Sequence, residues 1–535
     1  MEFAFLLNHI NVLLLLVMLC VPCGFIQCPT DFGVSNILQA TPSASVDFGR
    51  MYFNLPAAVL RPKSPREISF LLKSVRSSSP FSNRVTVAAR GAGHSINGQA
   101  QALDGIVIEM DSLPDHIEIH SNSEEYGCSY ADVSGGTLWI DLLRESLKVG
   151  LAPRSWTDYL YLTIGGTLSN GGISGQTFKH GPQVANVLQL DVVTGQGELL
   201  TCSKAQNSEL FYAVLGGLGQ FGIITRARIV LEEAPHKVKW VRVFYDEFEK
   251  FTRDQELLVT AMEGMVDYVE GLTFLNQHSL LSSFAAFPSD PDLLPGLHGE
   301  SNTSIYYCIE FAVHCHHKKA SNVQKATMEE EVVRRLNHIR SLVQRAEVSY
   351  FDFLNRVGME EEKLRSKGAW DVPHPWLNLF VPSFSITTFK DLLLQNISPT
   401  TFEGPLLIYP IRPDKWDANM SVVLPRAHAG KRNDSLIYVV GVLRSAPPEC
   451  VPETPCLNRI EQQNRRIVET ATRWLSAKQY LPAYSRRRQW EEHFGESGWL
   501  RFQARKAQFD PLNVLAPGQR IFSRWEADSK KNNRF

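Results

Sequence analysis

The segment from Val85 to Gln99, VTVAARGAGHSINGQ, limits what this chain can fold into more than any other stretch. Its alternating apolar residues predict a strand that ends at Arg90. The turn Gly91–Gly93 lets the backbone approach a ligand closely, and its N–H groups can form an anion-binding nest beside His94. The third glycine of the dinucleotide fingerprint is missing, which argues against a Rossmann domain. An ordinary strand-to-loop turn with a solvated histidine stays open as the other interpretation.

A second segment, residues 155–175 (SWTDYLYLTIGGTLSNGGISG), complements the first. It carries glycines at positions 165, 166, 171, 172 and 175, together with several threonine and serine hydroxyl groups. Glycines and hydroxyls bury little apolar area, so the segment suits a packed core poorly. Close backbone approach and many hydroxyl donors suit a ligand that has a pyrophosphate and a ribityl chain.

Four motifs follow one another in the chain, namely RGxGHS, SWTDYLYLTxGGTLSNxGISGQ, HGPQxxNVLxLDVVTG and GGLGQFGIITRAR. The stretches VPHPWLNLFVP, QNRRI, KQYLP and LxPGQRIF come later. With these motifs the chain resembles the plant cytokinin oxidase/dehydrogenases, which belong to the flavoprotein superfamily typified by vanillyl-alcohol oxidase. The resemblance runs from about Phe48 to Phe522. It implies a two-domain FAD-binding flavoprotein of the vanillyl-alcohol oxidase type.

The local patterns predict an α+β fold, because strands and helices follow one another without the regular rhythm of a parallel βαβ sheet. They predict a helix that begins at Pro65 and a charged helix over Gln324–Arg345. The resemblance implies an FAD-binding domain built from both ends of the chain, with a substrate-binding cap domain inserted between them. The expected parts are a signal peptide or signal anchor at 1–27, the FAD-binding domain at 28–236 and 481–528, the cap domain at 237–480, and a tail at 529–535.

Two residues carry the chemistry that the resemblance implies. His94 matches the histidine that bonds covalently to the flavin 8α-methyl group, for which a neutral imidazole is a good nucleophile. Asp158 matches the carboxylate that hydrogen-bonds the reacting amine N–H and assists as a base while hydride passes to the flavin. Its aromatic-rich surroundings predict a desolvated carboxyl group with a raised pKa. The alternatives are a solvated histidine and a turn or helix-capping aspartate.

Further residues match substrate contacts of the family. Glu270 matches a carboxylate that contacts the hydroxyl or ring of the substrate, although a solvated strand-end glutamate has the same sequence signature. Trp376 and Asn378 lie in VPHPWLNLFVP, whose Pro-flanked aromatics suit stacking a purine and enclosing an isoprenoid tail. A structural Pro/Trp corner is the alternative, and we adopt it for His374. Leu481 matches a residue that caps the adenine end of the substrate, and a core Tyr-Leu pair is the alternative there.

The remaining matches are cofactor contacts, and one departs from the family pattern. Position 516 is alanine where a serine often donates a hydrogen bond, a loss of about 1 kcal/mol that does not put FAD in doubt. The residues expected to bind FAD are Ala89, Gly91, Ala92, Gly93, Ser95, Gln99, Asp158, Thr163, Ser169, Ile173, Ile223, Tyr480, Ala516 and Gln519.

The reaction implied by the resemblance is oxidation of the N6 side chain of isoprenoid cytokinins such as isopentenyladenine and zeatin. The product is an imine that hydrolyses to adenine and an unsaturated aldehyde, and a quinone-type acceptor or dioxygen is expected to reoxidise the flavin. Two alternatives are another covalent-flavin oxidase of the superfamily, acting on sugars, lactones or phenolic alcohols, and a cytokinin-binding protein without turnover. The formal net charge of −2 gives no reason to expect nucleic acid. We expect a monomer without a metal site.

The first residues predict entry into the secretory pathway. The apolar stretch Val12–Val21 has about the length of a signal-peptide core, although no Lys or Arg precedes it. We expect secretion to the apoplast, with the endoplasmic reticulum or vacuole and an uncleaved anchor as the alternative. Cys450 and Cys456 bracket a Pro-rich loop where a disulfide could form. The candidate glycosylation sites are Asn302, Asn396, Asn419 and Asn433.

Overall fold

The structure is a computed structural model, and it describes residues 37–77, 85–287, 305–316, 319–402, 404–425 and 436–524. The expected leader at 1–27, the tail at 529–535 and the glycosylation candidates Asn302 and Asn433 lie outside the described residues. In the part of the chain that the structure describes, no helix is both long enough and apolar enough to cross a membrane.

The first sheet carries the anion-binding nest at the end of one of its strands. Its order is β1-β2-β4-β3, with β2, β4 and β3 parallel and β1 antiparallel to β2. The predicted helix does begin at Pro65, and its apolar residues Ile68, Leu71, Leu72 and Val75 are buried against this sheet. The strands are β1 (Ile37–Gln39), β2 (Ala58–Leu60), β3 (Val87–Arg90) and β4 (Ile106–Glu109).

The second sheet is antiparallel throughout and packs on the glycine-rich segment. Its order is β5-β6-β10-β8-β9, and β7 pairs with the end of β10. Its core includes the fully buried Trp139 and Trp156. The strands are β5 (Ile117–Ser123), β6 (Cys128–Ser134), β7 (Leu151–Pro153), β8 (Val187–Thr194), β9 (Leu199–Ser203) and β10 (Gly222–Glu233).

The third sheet begins four residues after the second ends, at Lys237, and it is also antiparallel. Its order is β14-β11-β13-β12-β16-β17-β15-β18, and it has an apolar core of its own. The limits of the expected domains stay predictions. The strands are β11 (Lys237–Tyr245), β12 (Tyr268–Phe274), β13 (Tyr306–Cys315), β14 (Val343–Ser349), β15 (Leu377–Pro382), β16 (Leu406–Ile411), β17 (Ile437–Val442) and β18 (Lys478–Gln479).

Helices connect and cover the three sheets, and together they confirm the α+β class. The described helices are α1 (Pro65–Ser77), α2 (Trp139–Leu147), α3 (Ile164–Leu168), α4 (Thr177–His180), α5 (Ser208–Val214), α6 (Phe248–Val259), α7 (Gln277–Ala286), α8 (Lys319–Arg335), α9 (Tyr350–Leu354), α10 (Arg356–Ser366), α11 (Ile386–Asn396), α12 (Pro455–Trp474) and α13 (Arg487–Phe509).

The prediction of one charged helix over Gln324–Arg345 is wrong at its end. The helix α8 stops at Arg335, and residues from Val343 onward form the edge strand β14. Asn337 follows the helix, and its backbone N–H and side-chain amide both donate to the buried Asp254, at 2.5 and 2.9 Å. Because β14 pairs with β11, the last residues of the predicted helix form a strand instead.

The two ends of the chain meet beside the nest. Val87, in β3, donates to Val514 O at 2.8 Å and accepts from Ala516 N at 3.0 Å. Val514 and Leu515 are buried in the core of the first sheet. Cys450 and Cys456 form a disulfide whose loop packs on Met51, also near the N-terminal part. The strand that leads into the nest is thus held by residues that lie more than four hundred positions later.

Candidate active site

The imidazole of His94 is enclosed by aromatic rings from three parts of the chain. Phe48 stacks on one side with its centroid 3.9 Å away, and Tyr159 stacks on the other at 4.9 Å. Trp376 meets His94 edge-on at 6.0 Å. His374, from the same segment as Trp376, stacks on the far face of Phe48 at 4.1 Å. Offset and edge-on aromatic contacts of this kind fix ring orientation.

This enclosure sets the protonation of His94. Burial lowers the pKa of His94 to about 3, and the nearby His374 lowers it further. An imidazole in apolar surroundings loses the hydration that stabilises its cation, so it stays neutral at physiological pH. A nitrogen lone pair is therefore available at His94 for bond formation.

The loop that carries His94 is held by a buried aspartate that sequence reasoning missed. Asp47 Oδ2 accepts from Ser95 Oγ at 2.8 Å and from Gly98 N at 2.7 Å. Burial raises the pKa of Asp47 to about 6, although these hydrogen bonds and the charge of Arg90 lower it. The adjoining Phe48 donates its N–H to Gly93 O at 2.8 Å. The resemblance to the family begins at about Phe48, and no motif in the sequence marks Asp47.

The expected cofactor residues from both ends of the chain converge on the glycine segments. Gly91 lies so close to Thr163 that an added Cβ would overlap the Thr163 hydroxyl, which accepts from Gly166 N at 3.3 Å. Tyr480 OH accepts from Gly172 N at 3.2 Å. Gly518 packs on the backbone of Gly98 and Gln99, and this contact brings Gln519 to the same loop.

Other expected cofactor residues have structural partners of their own. Ser169 Oγ donates to Gly165 O at 2.7 Å, and Gln99 Oε1 accepts from Asn97 N at 2.7 Å. Ile223 is buried with the first sheet, and Ile173 packs with Tyr480. The matching residues therefore lie around the two glycine segments in several different roles.

Buried polar groups around these segments fit a polar cofactor such as FAD. Among the described residues, none forms a hydrogen bond with Arg90 Nη1, Gln519 Oε1 or the side-chain amide atoms of Gln183. Arg90 lies against Gly93, and Gln183 lies against Gly172. Because buried polar groups are costly when unpaired, these donors and acceptors are matched to a ligand with phosphate and heterocyclic polar atoms.

Two carboxyl groups, of Asp158 and Glu270, lie where the third sheet meets the glycine-rich segment 155–175. Asp158 and Glu270 are neighbours that interact electrostatically, and the guanidinium of Arg356, the first residue of α10, contacts both. Arg356 Nη2 lies 3.4 Å from Asp158 Oδ1 and 3.4 Å from Glu270 Oε2. Tyr268 OH donates to Asp158 Oδ1 at 3.3 Å and accepts from Arg356.

The two carboxyl groups of the pair differ in their surroundings. Burial raises the pKa of Glu270 well above its usual value, the charge of Asp158 raises it further, and Arg356 opposes both effects. The Asp158 side chain is 26% exposed and the Glu270 side chain 6%. The raised pKa favours a neutral Glu270, and Asp158 is the more accessible carboxyl group, where a ligand can reach it. The alternative of a solvated strand-end glutamate at position 270 does not fit its 6% exposure.

The expected substrate residues divide between the two sides of this site. Trp376 belongs to the aromatic group around His94, and Asn378 accepts from Tyr480 N through its backbone carbonyl at 2.9 Å. Leu481 has a φ of 53° and lines a cavity with Tyr480 and Leu218. His374 N donates to Gly49 O at 2.9 Å, so the Pro/Trp corner is structural and also supports Phe48.

Sequence reasoning missed Arg356 and Tyr268. Tyr268 precedes Glu270 by two positions, and alternation along a strand puts both side chains on one face. That signal was available once Glu270 was considered. Arg356 offers no local signal, because a basic residue at the start of a polar helix is ordinary. Only the tertiary fold places its side chain between two carboxyl groups.

Two family models match most of this chain, and related proteins match it over its length. The model for "Cytokinin dehydrogenase 1, FAD and cytokinin binding" matches residues 235–522, and the model for "FAD binding domain" matches residues 56–203. Cytokinin dehydrogenase 3 of Oryza sativa subsp. japonica is 57% identical over 533 residues, which cover 100% of this chain and 99% of that protein. Cytokinin dehydrogenase 1 of Arabidopsis thaliana is 47% identical over 484 residues, covering 89% and 80%.

Solved structures share the fold at low sequence identity. A 6-hydroxy-D-nicotine oxidase from Arthrobacter nicotinovorans superposes with a TM-score of 0.62 at 17% identity, covering 91% of this chain and 98% of that one. A chitooligosaccharide oxidase gives a TM-score of 0.63 at 16% identity, covering 91% and 97%. A VAO-type flavoprotein from Myceliophthora thermophila gives 0.61 at 16%, covering 86% and 79%. The predicted vanillyl-alcohol oxidase type of fold is confirmed.

Proposed function

The chain belongs to the cytokinin dehydrogenase family, and we propose that Asp158 is the base of its reaction, with Glu270 as the neutral partner that orients it. It is an FAD-dependent oxidoreductase that acts on cytokinins. The observation that carries the proposal is the contact of Arg356 with both carboxyl groups, together with the raised pKa of the buried Glu270 beside the more accessible Asp158. A carboxylate next to a protonated carboxyl group can accept a proton while its partner stays in place.

FAD, when bound, supplies the two-electron oxidant that accepts a hydride from the carbon attached to the substrate nitrogen. The chain's own residues bind and orient the amine. Asp158 accepts the hydrogen bond of the N6–H and takes its proton as the C–H bond breaks, which leaves a C=N bond in the substrate. Water then adds to that imine, and adenine and an unsaturated aldehyde result. Tyr268 and Arg356 hold Asp158 in position through their contacts with its Oδ1.

The aromatic rings around His94 suit the purine ring of the substrate. We assign Trp376 to the wall of the substrate site, because its ring belongs to the same aromatic group as His94. Asn378 and Leu481 are also proposed to contact the substrate, because Asn378 bonds to the Tyr480 backbone and Leu481 follows Tyr480 in the chain. Aromatic faces bind heterocycles by offset stacking, and the apolar surroundings suit an isoprenoid tail.

Rapid mixing of the enzyme with isopentenyladenine under anaerobic conditions tests the proposal. Asp158→Asn should slow flavin reduction by at least about a hundredfold, since a positioned general base contributes about that much, while the visible spectrum of bound FAD stays unchanged. Asp141→Asn is the matched control, because Asp141 lies on α2 and pairs with the exposed Arg144 at 3.0 Å. Reduction of Asp158→Asn at the wild-type rate contradicts the assignment of the base. Reduction of the wild type by sugars or phenolic alcohols alone contradicts the substrate class.

We also propose that His94 carries FAD through a covalent bond to the 8α-methyl group. The support is the neutral imidazole, held between Phe48 and Tyr159 next to the nest. Acid precipitation of the wild-type protein should give a yellow pellet, and His94→Ala should give a colourless one. The control is His338→Asn, which removes another buried histidine, whose Nδ1 contacts Ile339 O at 3.0 Å. A colourless wild-type pellet overturns the covalent bond and leaves the oxidoreductase activity standing.

The location and the remaining partners are proposals of the same kind. We propose secretion to the apoplast, supported by the Cys450–Cys456 disulfide, which is typical of oxidising compartments, and by the exposed Asn419. Asn396 is the other candidate glycosylation site within the described residues. We further propose a monomer that passes its electrons to a quinone-type acceptor or to dioxygen. Glycosidase digestion of protein from apoplastic fluid, with and without Asn419→Gln, tests the route.

A further inference from the structure

A row of charged side chains crosses the third sheet and ends at the carboxyl pair. Arg242 in β11 is the direct cross-strand partner of Glu310 in β13, and Glu310 is the direct partner of Glu270 in β12. Directly paired residues of adjacent strands present their side chains on the same face. Arg356 reaches the same face from α10. The row therefore joins three strands and one helix.

The contacts along the row alternate in charge. Arg242 Nε lies 2.7 Å from Glu310 Oε2, and Arg356 Nε lies 3.7 Å from Glu310 Oε1. The same Arg356 reaches Asp158 and Glu270 through Nη2. Glu310 is thus the group that holds two guanidinium groups at once, and its side chain is only 3% exposed.

The charges balance only when one carboxyl group is protonated. The row contains the two cations Arg242 and Arg356 and the three carboxyl groups of Asp158, Glu270 and Glu310. An uncompensated charge is costly in a buried cluster, so the cluster is stable with one neutral carboxyl group. Glu310 lies between both arginines, and Asp158 is the most accessible member. Burial and the charge of Asp158 raise the pKa of Glu270, which favours Glu270 as the neutral carboxyl group.

We propose that Glu310 is a positioning residue for the reaction, which holds Arg356 against Asp158 and Glu270. This inference rests on the proposed role of Asp158 as the base. In this arrangement a neutral Glu270 orients Asp158, so activity falls when rising pH removes the proton of Glu270. The pH at which the proton leaves depends on the charges along the row. The titratable or charged groups that face Glu270 are Asp158, Tyr268, Glu310, Arg356 and Tyr409.

Two substitutions in the row should move the pH dependence in opposite directions. Glu310→Gln removes a negative charge, so Glu270 ionises more easily and the basic limb of the flavin-reduction profile should move down by about one pH unit. Arg242→Gln removes a positive charge one strand further from Glu270 and should move the same limb up by a smaller amount. A merely structural role predicts slower reduction in both variants without opposite shifts.

The control is Glu329→Gln, which removes another carboxylate held by two cations, Lys239 at 3.2 Å and Arg345 at 2.9 Å, away from the pair. It should leave the limb where the wild type has it. The infrared C=O band of a protonated carboxyl group gives a second readout that needs no turnover. The band should persist to higher pH in Arg242→Gln than in the wild type and vanish at lower pH in Glu310→Gln, so either variant alone tests the sign.

The inference is overturned if the basic limb of the pH profile and the carboxyl C=O band stay in place in Glu310→Gln and Arg242→Gln. It is also overturned if they move in the same direction in both variants. Absence of flavin reduction in the wild-type enzyme overturns the proposed function instead, so the two failures are distinct.

Discussion

Three histidines, His94, His180 and His493, are shielded from water by the fold, and burial lowers the pKa of each. The pKa of His493 falls to about 3 and that of His180 to about 4. Below about pH 6.5 the unfolded chain binds protons at these sites and the folded chain does not, so acidification favours unfolding. The stability that each neutral histidine contributes is complete above pH 6.5. It decreases as the pH falls toward the pKa of that histidine in the folded protein. Asp47, whose pKa is raised to about 6, opposes this trend.

Replacing His493 should reduce this acid sensitivity. His493 is 6% exposed, and Tyr484 OH lies 3.4 Å from its Nδ1. Between pH 7 and pH 5 the wild type should lose about 2 kcal/mol of unfolding free energy through this residue, at about 1.4 kcal/mol for each pH unit below 6.5. His493→Asn should lack that part of the loss. Urea unfolding followed by tryptophan fluorescence at the two pH values measures it.

The control for that experiment is His116→Asn, at the exposed position just before β5. It should show the same difference between pH 7 and pH 5 as the wild type. An equally large acid loss in His493→Asn contradicts the role given to burial at this site.

At the scale of single elements, hydrophobic periodicity predicted correctly a helix that buries one apolar face. The helix α1 begins at Pro65 and buries the expected apolar stripe. The strand β14 shows the limit, since Val343–Ser349 alternates between exposed and more buried positions within a run of charges that was assigned to a helix. Charge composition does not distinguish a polar helix from an edge strand, whereas pairing with β11 does.

Helix α10 serves the site at two of its turns. Its first residue, Arg356, contacts the carboxyl pair, and Glu361 accepts the hydrogen bond of Tyr159, which stacks on His94. Gly358 lies between them and is buried against Tyr161. Close packing of this one helix therefore couples the position of the base to that of the aromatic group.

Gly358→Ala should disturb both contacts. An added Cβ would lie 2.6 Å from Asn355 Oδ1 and 2.6 Å from Tyr161 Cε2, so the helix must shift outward. Overpacking of this kind costs about 1–3 kcal/mol, and kcat should fall more than KM rises because Arg356 moves with the helix. The control is Gly498→Ala in α13, where the nearest atom is Phe494 Cβ at 3.6 Å. That change should stabilise the protein by up to about 1 kcal/mol. Wild-type kcat and stability in Gly358→Ala would falsify the coupling.

At the scale of the whole molecule, closure of the cofactor site depends on the end of the chain. Local patterns could not predict that residues 514–519 return to β3, because nothing in their sequence marks a partner so far away. Only the family resemblance implied that the end of the chain folds back onto the N-terminal domain. In the structure it does so through the backbone hydrogen bonds of Val87 with Val514 and Ala516. The charge row across the third sheet was beyond prediction for the same reason. Its members Arg242, Glu310 and Arg356 are separated along the chain and meet only through strand register.

The returning segment is fastened by a buried ion pair, which gives a prediction for the molecule as a whole. Lys506 Nζ lies 2.8 Å from Asp510 Oδ2, and Asp510 accepts from Val514 N at 3.0 Å and Leu515 N at 2.9 Å. Lys506→Met leaves Asp510 as a buried, uncompensated charge, so we expect a loss of about 3–5 kcal/mol in unfolding free energy. FAD content per chain should fall with it, because Gln519 lies on the loosened segment.

The control, Arg505→Met, removes a neighbouring buried cation that contacts Glu209 and Ser421 instead, and it should retain FAD. Denaturant unfolding and the ratio of flavin to protein absorbance measure both effects, and full FAD content in a destabilised Lys506→Met protein contradicts the proposed link between this fastening and the cofactor site.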